Sequence, residues 1–159
     1  MLLTKEGKNV IIGGIDESIP ILDNLLTKMK SKNLFSSGSS FFNLSPNKKH
    51  SLAEVTNCIL TKEKLLPSLI DTELNPEEDF IISGSSTCNK SKNTNTFNYS
   101  KYSGIYMTNS SFGLQLAVEI LNSLATNELD GYKLPSKLKR VIIINHSSKN
   151  DVGVIIVKK

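Results

Sequence analysis

A chain of 159 residues with 38% hydrophobic and 21% charged content has room for one domain with its own core. Its 19 basic and 15 acidic residues leave a net charge of +4, yet the lysines are scattered and no basic stripe alternates with aromatics, which argues against a nucleic-acid partner. The two cysteines, Cys58 and Cys88, offer neither zinc spacing nor a disulfide framework and fit a cytoplasmic protein, no apolar run approaches the roughly 20 residues that span a bilayer, and residues 1–7 lack the apolar stretch of a secretion signal.

In chain order, "KNVIIGGIDES" opens with a short apolar run, Val10 to Ile12, then two glycines and two acids. It reads as a buried strand entering a tight turn, and it starts so near Met1 that nothing precedes it to form its neighbours. Pro20 suits a first helical position, and Ile21, Leu22, Leu25, Leu26 and Met29 continue an amphipathic helix. "GSSFFNLS" from Gly38 predicts a short strand. "HSLAEVTNCILT" from His50 predicts a longer one, in which Cys58 sits between apolar neighbours and is expected in the core, while His50 is expected at the surface. A short helix should follow. "NPEEDFIISGSS" predicts a strand over Phe80–Ser83 that ends in a Gly-Ser turn.

Residues 88–101, rich in Asn, Ser and Lys, read as an exposed loop. In "YMTNSSFGLQLAVEIL" polar residues give way to Phe112, Leu116, Ile120 and Leu124 at four-residue spacing, with Gly113, Ala117 and Leu121 on the adjacent line. The spacing predicts a helix over residues 110–125, capped by Asn109 or Ser110 and buried between layers. "KRVIIINHSS" and "DVGVIIVKK" should form a terminal hairpin. Strands and helices alternate throughout, which predicts a layered α/β fold.

Five of these segments, in order, resemble the β-ketoacyl-acyl-carrier-protein synthase family of thiolase-like condensing enzymes. "VIIGGIDES" looks like the family's Gly-Gly-x-(Asp/Glu) turn. "SSGSSFFNLS" looks like its Gly-Glu-Gly-Ala strand, with Ser39 in place of the Glu. "DFIISGSST" is similar to the strand ending in His-Gly-Thr-x-Thr. "MTNSSFGLQLAVEIL" is similar to the Thr-Gly-His segment and the Gly-Ala-Ala-Gly helix behind it. "NHSSKNDVGVIIVKK" takes the place of the Gly-Phe-Gly-Gly-Thr-Asn turn and last strand. In style the segments resemble the divergent synthase-like proteins of pigment and aryl-polyene pathways.

The resemblance implies an incomplete thiolase-like fold, the end of the first half plus the second half, with residues 1–159 forming a single C-terminal synthase-like domain. Active members use a Cys thiolate to take the acyl group from a carrier or coenzyme A thioester. Two histidines then assist decarboxylation and stabilise the enolate, and backbone N–H groups hold the oxyanion. Carried over, the first histidine falls on Ser83 and the second on Ser110. A hydroxyl does not accept a proton near neutral pH as imidazole does. The nucleophile has no counterpart, and the glycine-rich turn reads "NHSSKND" over residues 145–151.

The expected function is therefore that of a catalytically degenerate relative of the 3-oxoacyl-acyl-carrier-protein synthases, an acyltransferase family. It would serve fatty-acid, polyketide or aryl-polyene pigment assembly as a partner subunit or fragment. The alternative is the second half of a split, active synthase. Ser83, Ser110, Thr108 and Asn109 are the implied substrate-binding residues. The acyl group would arrive on the phosphopantetheine of an acyl carrier protein, with no cofactor held by the chain itself. A second implied partner is a Cys-bearing synthase subunit or the missing N-terminal half, in a family that dimerises through edge strands.

Other residues carry weaker expectations. Cys88, near Lys90 and Lys92, is either a loop thiol or a displaced nucleophile with His146 as base. Otherwise His146, at a strand end, is expected to bond backbone. Asp16 and Glu17 fit a structural turn, favouring the following helix through its dipole. Lys137, Lys139 and Arg140 form either a solvated rim or a dock for an acidic carrier. Two His and two Cys, far apart, do not suggest a metal site.

Overall fold

The strand that organises the molecule is Arg140–His146 (β8), whose residues Val141 to Ile144 are all at most 4% exposed. A strand apolar on both faces must lie between two layers. The structure, a computed structural model, describes residues 8–17, 37–68, 74–84, 96–104, 109–123, 128–146 and 150–159, with Ile21, Asn24 and Lys28 in helical conformation. The rest of the helix expected after Pro20 lies outside the described residues.

The described strands, in chain order, are Val10–Asp16 (β1), Gly38–Leu44 (β2), Glu54–Lys62 (β3), Asp79–Ser83 (β4), Thr96–Asn98 (β5), Glu128–Leu129 (β6), Tyr132–Lys133 (β7), β8 and Asp151–Lys158 (β9). Helices Ser100–Ser103 (α1) and Asn109–Asn122 (α2) lie between β5 and β6, and 3-10 turns at Lys48–His50 and Glu63–Leu65 flank β3. Five strands form one sheet in the order β3-β9-β8-β4-β5. β4, β5 and β8 run parallel, while β9 is antiparallel to both β8 and β3. The β8–β9 pair is the expected terminal hairpin. Thr56 interrupts the β3–β9 register as a bulge and donates its hydroxyl to the Ile156 carbonyl at 3.2 Å.

Each face of this sheet has its own core. Phe80, Ile82, Phe97, Val141, Ile143 and Val157 face one way, against Ala117, Ile120 and Leu121 of α2. Ile81, Ile142, Ile144, Val152, Val154 and Ile156 face the other, against Leu66. The deepest line of α2 is Asn109, Gly113, Ala117 and Leu121, while Phe112 and Leu116 are half-buried beside it. Small residues on that line bring the helix axis close to the strands. α2 packs on β8 and also touches β9, β4 and β2, which places it between the sheet and the β1–β2 ribbon.

Several expectations are corrected here. The diglycine is not a turn: Gly13 and Gly14 lie inside β1, paired with Phe41 and Ser40, and the Phe41 ring covers Gly13. Nor is β1 buried, because Ile11 is 75% and Ile15 70% exposed, on one ribbon face with Phe41 at 62%. Cys58 is exposed rather than in the core, on β3, the edge strand of the five-stranded sheet. Residues 96–101 are not loop. Phe97 and Tyr99 are buried, and α1 follows at once. Tyr102 of α1 stacks on Phe97 at 5.7 Å and donates to Asp130, a hydrogen bond that raises its phenol above the ordinary value. Asp130 and Gly131, both at positive φ, make the tight turn between β6 and β7.

The basic residues before β8 are internally paired. Lys137 meets Glu77 at 3.5 Å, Lys139 meets Glu78 at 2.6 Å, and Arg140 meets Asp79 at 2.6 Å. These pairs tie the start of β8 to the start of β4.

Candidate functional site

The C-terminal ends of β4 and β8 meet the first turn of α2. A parallel sheet with a covering helix places such a junction where strand ends and free helix N–H groups converge. Ser83 closes β4 and is fully buried. In register it stands opposite Ile144. Because Ile81 and Ile142, two residues earlier, belong to the core away from α2, the Ser83 side chain lies on that far face. Gly84 is the residue under the helix. Its N–H donates to the Ile144 carbonyl at 3.1 Å, and its own carbonyl accepts from Asn109 Nδ2 at 3.4 Å.

Asn109 is 6% exposed and also accepts from the Ser103 hydroxyl at 2.7 Å. Its amide therefore binds α1, α2 and β4 together, rather than only capping its own helix. Ser110 is half-buried on the same turn. Thr108 lies outside the described residues.

The centre of the junction is filled by Tyr99, a residue absent from the expected site. It is fully buried; its N–H donates to the Ser83 carbonyl at 3.0 Å and its hydroxyl to Asn145 Oδ1 at 2.7 Å. The phenol lies between two glycines. A Cβ built on Gly84 or on Gly113 would stand 2.6 Å from its oxygen. Phe112 closes one side, with ring centroids 5.8 Å apart. The signal for Tyr99 was the alternation in "TFNY", masked by the polar residues around it.

Gly84, Tyr99, Ser103, Asn109, Ser110, Gly113 and Asn145 thus bring hydroxyls, amides, a phenol and bare backbone to one place, which Ser83 joins by its backbone carbonyl alone. The set holds no imidazole, carboxylate, amine or thiol, so its groups orient and exclude.

His146 is not part of this set. It follows Asn145 by one position and faces the other way. Its Nδ1 lies 3.8 Å from Glu63 Oε1, while its Nε2 is buried with no hydrogen-bond partner among the described residues. The expected backbone bond is replaced by this carboxylate neighbour. Glu63 borders an open groove of about 570 Å³ with Lys62, Lys64 and Asn150, and Lys62 is paired to Asp151. His50 is exposed, as expected. Cys88, Lys90 and Lys92 lie outside the described residues. Among the described residues, no three His, Cys, Asp or Glu side chains group as metal ligands, and no helix is long and apolar enough to cross a membrane.

No family model matches the sequence, and no curated protein matches it. Solved structures match its fold. One is a chain of AntDE:AntF (apo), a type II PKS acyl-carrier protein in complex with its ketosynthase bound to the hexaketide. It superposes with a TM-score of 0.65 at 17% identity, over 94% of this chain and 51% of that one. A β-ketoacyl synthase from Burkholderia phymatum STM815 superposes with a TM-score of 0.60 at 10% identity, over 95% of this chain and 54% of that one. The fold is the thiolase-like, layered α/β fold expected from the sequence, and the chain spans about half the length of the solved structures it matches.

Proposed function

We propose that this chain, built on the fold of about half a β-ketoacyl synthase, is a catalytically degenerate synthase-like module that acts as a partner subunit in acyl-thioester assembly of the fatty-acid, polyketide or aryl-polyene kind. One observation carries the reading. At the positions where the resemblance calls for two imidazoles, the strand end and helix start carry Ser83 and Ser110, and at their junction a buried phenol, Tyr99, fills the space between Gly84 and Gly113. Decarboxylative condensation needs a thiolate to hold one acyl group and imidazoles to stabilise the enolate of the other. Hydroxyls and amides supply neither.

In this reading Asn109 and Ser110, which open α2, and Thr108, just before them in sequence, are the substrate-contacting residues; Ser83, whose side chain lies on the sheet face away from α2, is not among them. The positive end of the helix dipole suits a thioester carbonyl or a carboxylate. The group is held there without being activated.

The partners follow from the same reading: an acyl carrier protein, and a Cys-bearing synthase subunit or the polypeptide that supplies the other half of the fold. The half-length match supports a partner, and so does the exposed apolar face of Ile11, Ile15 and Phe41 on a two-stranded ribbon. Native mass spectrometry of the chain mixed with a Cys-bearing ketosynthase subunit is expected to show a one-to-one complex. Phe41→Asp should weaken it about tenfold or more. A chain that stays alone in the mixture rejects the partner-subunit reading. The half-length match equally suits the second half of a split, active synthase, in which case the complex would release carbon–carbon product.

A further inference from the structure

β3 pairs with β9 on one side, and no described strand pairs with its other side. It is nine residues long, so that side presents an extended row of backbone N–H and C=O groups for which the described sheet has no partner. Charged residues and proline commonly blunt such an edge, yet Val55 to Thr61 contain neither. The bulge at Thr56 guards one end only, and Asn57 to Thr61 run on in regular pairing with β9. Within that stretch Leu60 is 79% exposed, the highest value among the large apolar residues described. Cys58, also exposed, lies two positions away on the same side of the strand.

We propose that this edge binds a second copy of the chain, β3 against β3, antiparallel about a two-fold axis at Ile59. The charges select the direction. Glu54 opens the strand and Lys62 closes it, so a parallel copy would set like charge beside like, whereas an antiparallel copy sets the acidic end of each beside the basic end of the other. Glu54 already meets Lys48 and Lys158, and Lys62 meets Asp151, so these charges orient the contact more than they tighten it. The regular stretch selects the register. An axis at Ile59 sets Asn57 opposite Thr61 and Cys58 opposite Leu60, which uses all of that stretch and stops short of the bulge. An axis at Cys58 would set the bulged Thr56 against Leu60, and one at Leu60 would set Lys62 against Cys58. In the favoured register each Leu60 is covered by the other copy's Cys58, and the five-stranded sheet continues into its copy. The contact uses none of Ile11, Ile15 and Phe41, so each copy keeps the ribbon face proposed for a synthase subunit.

The test is sedimentation equilibrium of the full chain at micromolar concentration under reducing conditions, where twice the chain's mass is expected. Leu60→Lys places a charge in the middle of the edge at an exposed position, and should weaken the dimer about tenfold or more without loss of fold. Ile21→Lys, at a residue 72% exposed but outside β3, should leave the dimer unchanged. The register is read from Leu60→Cys in a Cys88→Ser background. Directly opposite residues stand about 5 Å apart at Cα, so mild oxidation should join the introduced thiol of one copy to Cys58 of the other, as peptide mapping would show. A chain that sediments as a monomer overturns the proposal and leaves the edge to a different polypeptide. A dimer that survives Leu60→Lys, or that Ile21→Lys abolishes, overturns the place of the contact. No disulfide, or one joining the two introduced thiols to each other, overturns the axis at Ile59.

Discussion

Asp79→Ala should cost about 3–5 kcal/mol of folding stability, the largest loss expected from a single polar substitution in the described core. The Asp79 side chain is fully buried, while that of Arg140 is 31% exposed. Arg140 Nε reaches one carboxylate oxygen at 2.7 Å and a terminal guanidinium nitrogen reaches the other at 2.6 Å, a two-point contact. The same carboxylate accepts the Asn75 N–H at 2.7 Å. Asp79 and Arg140 are register partners in the parallel pair β4–β8, so this contact sets where the two central strands begin. Alanine removes the carboxylate that accepts from both the guanidinium and the Asn75 N–H. The neighbouring pairs Lys139–Glu78 and Lys137–Glu77 have mostly exposed lysines, and loss of either lysine should cost no more than about 1 kcal/mol. Urea unfolding separates the two classes. The double variant Asp79→Leu with Arg140→Met should recover much of the loss, because no charge is then left unpaired. A fall below about 1 kcal/mol for Asp79→Ala would mean that the pair does not hold the strands in register.

Gly113→Ala sets two effects against each other. In an isolated helix alanine stabilises by about 1 kcal/mol relative to glycine. Here the added methyl would stand 2.6 Å from the Tyr99 oxygen and 2.7 Å from its ring carbon Cζ. Such overpacking costs typically about 1–3 kcal/mol when the neighbour cannot move. Tyr99 is fully enclosed and bonded to Asn145, so it has little room to yield. The net expectation is a destabilisation of about 1–2 kcal/mol, again read by urea unfolding. Tyr99→Phe removes the oxygen from the contact, so the same glycine substitution should cost less in that background. A stabilised Gly113→Ala protein would show that the junction is loosely filled.

The parts of the fold that were legible in the sequence are those whose apolar runs exceed their surroundings. "RVIII", "VGVIIV" and "DFIIS" became β8, β9 and β4, and the four-residue spacing from Phe112 became α2. What was missed has particular causes. β5 and α1 are written in Thr, Asn and Ser, and only Phe97, Tyr99 and Tyr102 among them carry packing energy, so composition pointed to a loop. The Asp130-Gly131 pair is a recognisable tight-turn signal, but the strands it joins are two residues each and carry no periodicity. Cys58 and Ile11 sit in apolar runs whose outer faces no described layer covers. Alternation says that a face is apolar, not whether anything lies against it. At the junction, the strand end and helix start were legible as positions. Which way Ser83 points was not, because that follows from its pairing with Ile144.

The most direct measurement of the central claim is a single assay on the purified chain, given malonyl and octanoyl thioesters at neutral pH and followed by intact-mass spectrometry and product analysis. The account predicts no condensation product and no stoichiometric acyl group on Cys58 or Cys88, with Cys88→Ala indistinguishable from wild type. A covalent acyl adduct at Cys88 that this substitution abolishes, together with released β-ketoacyl product, would contradict it.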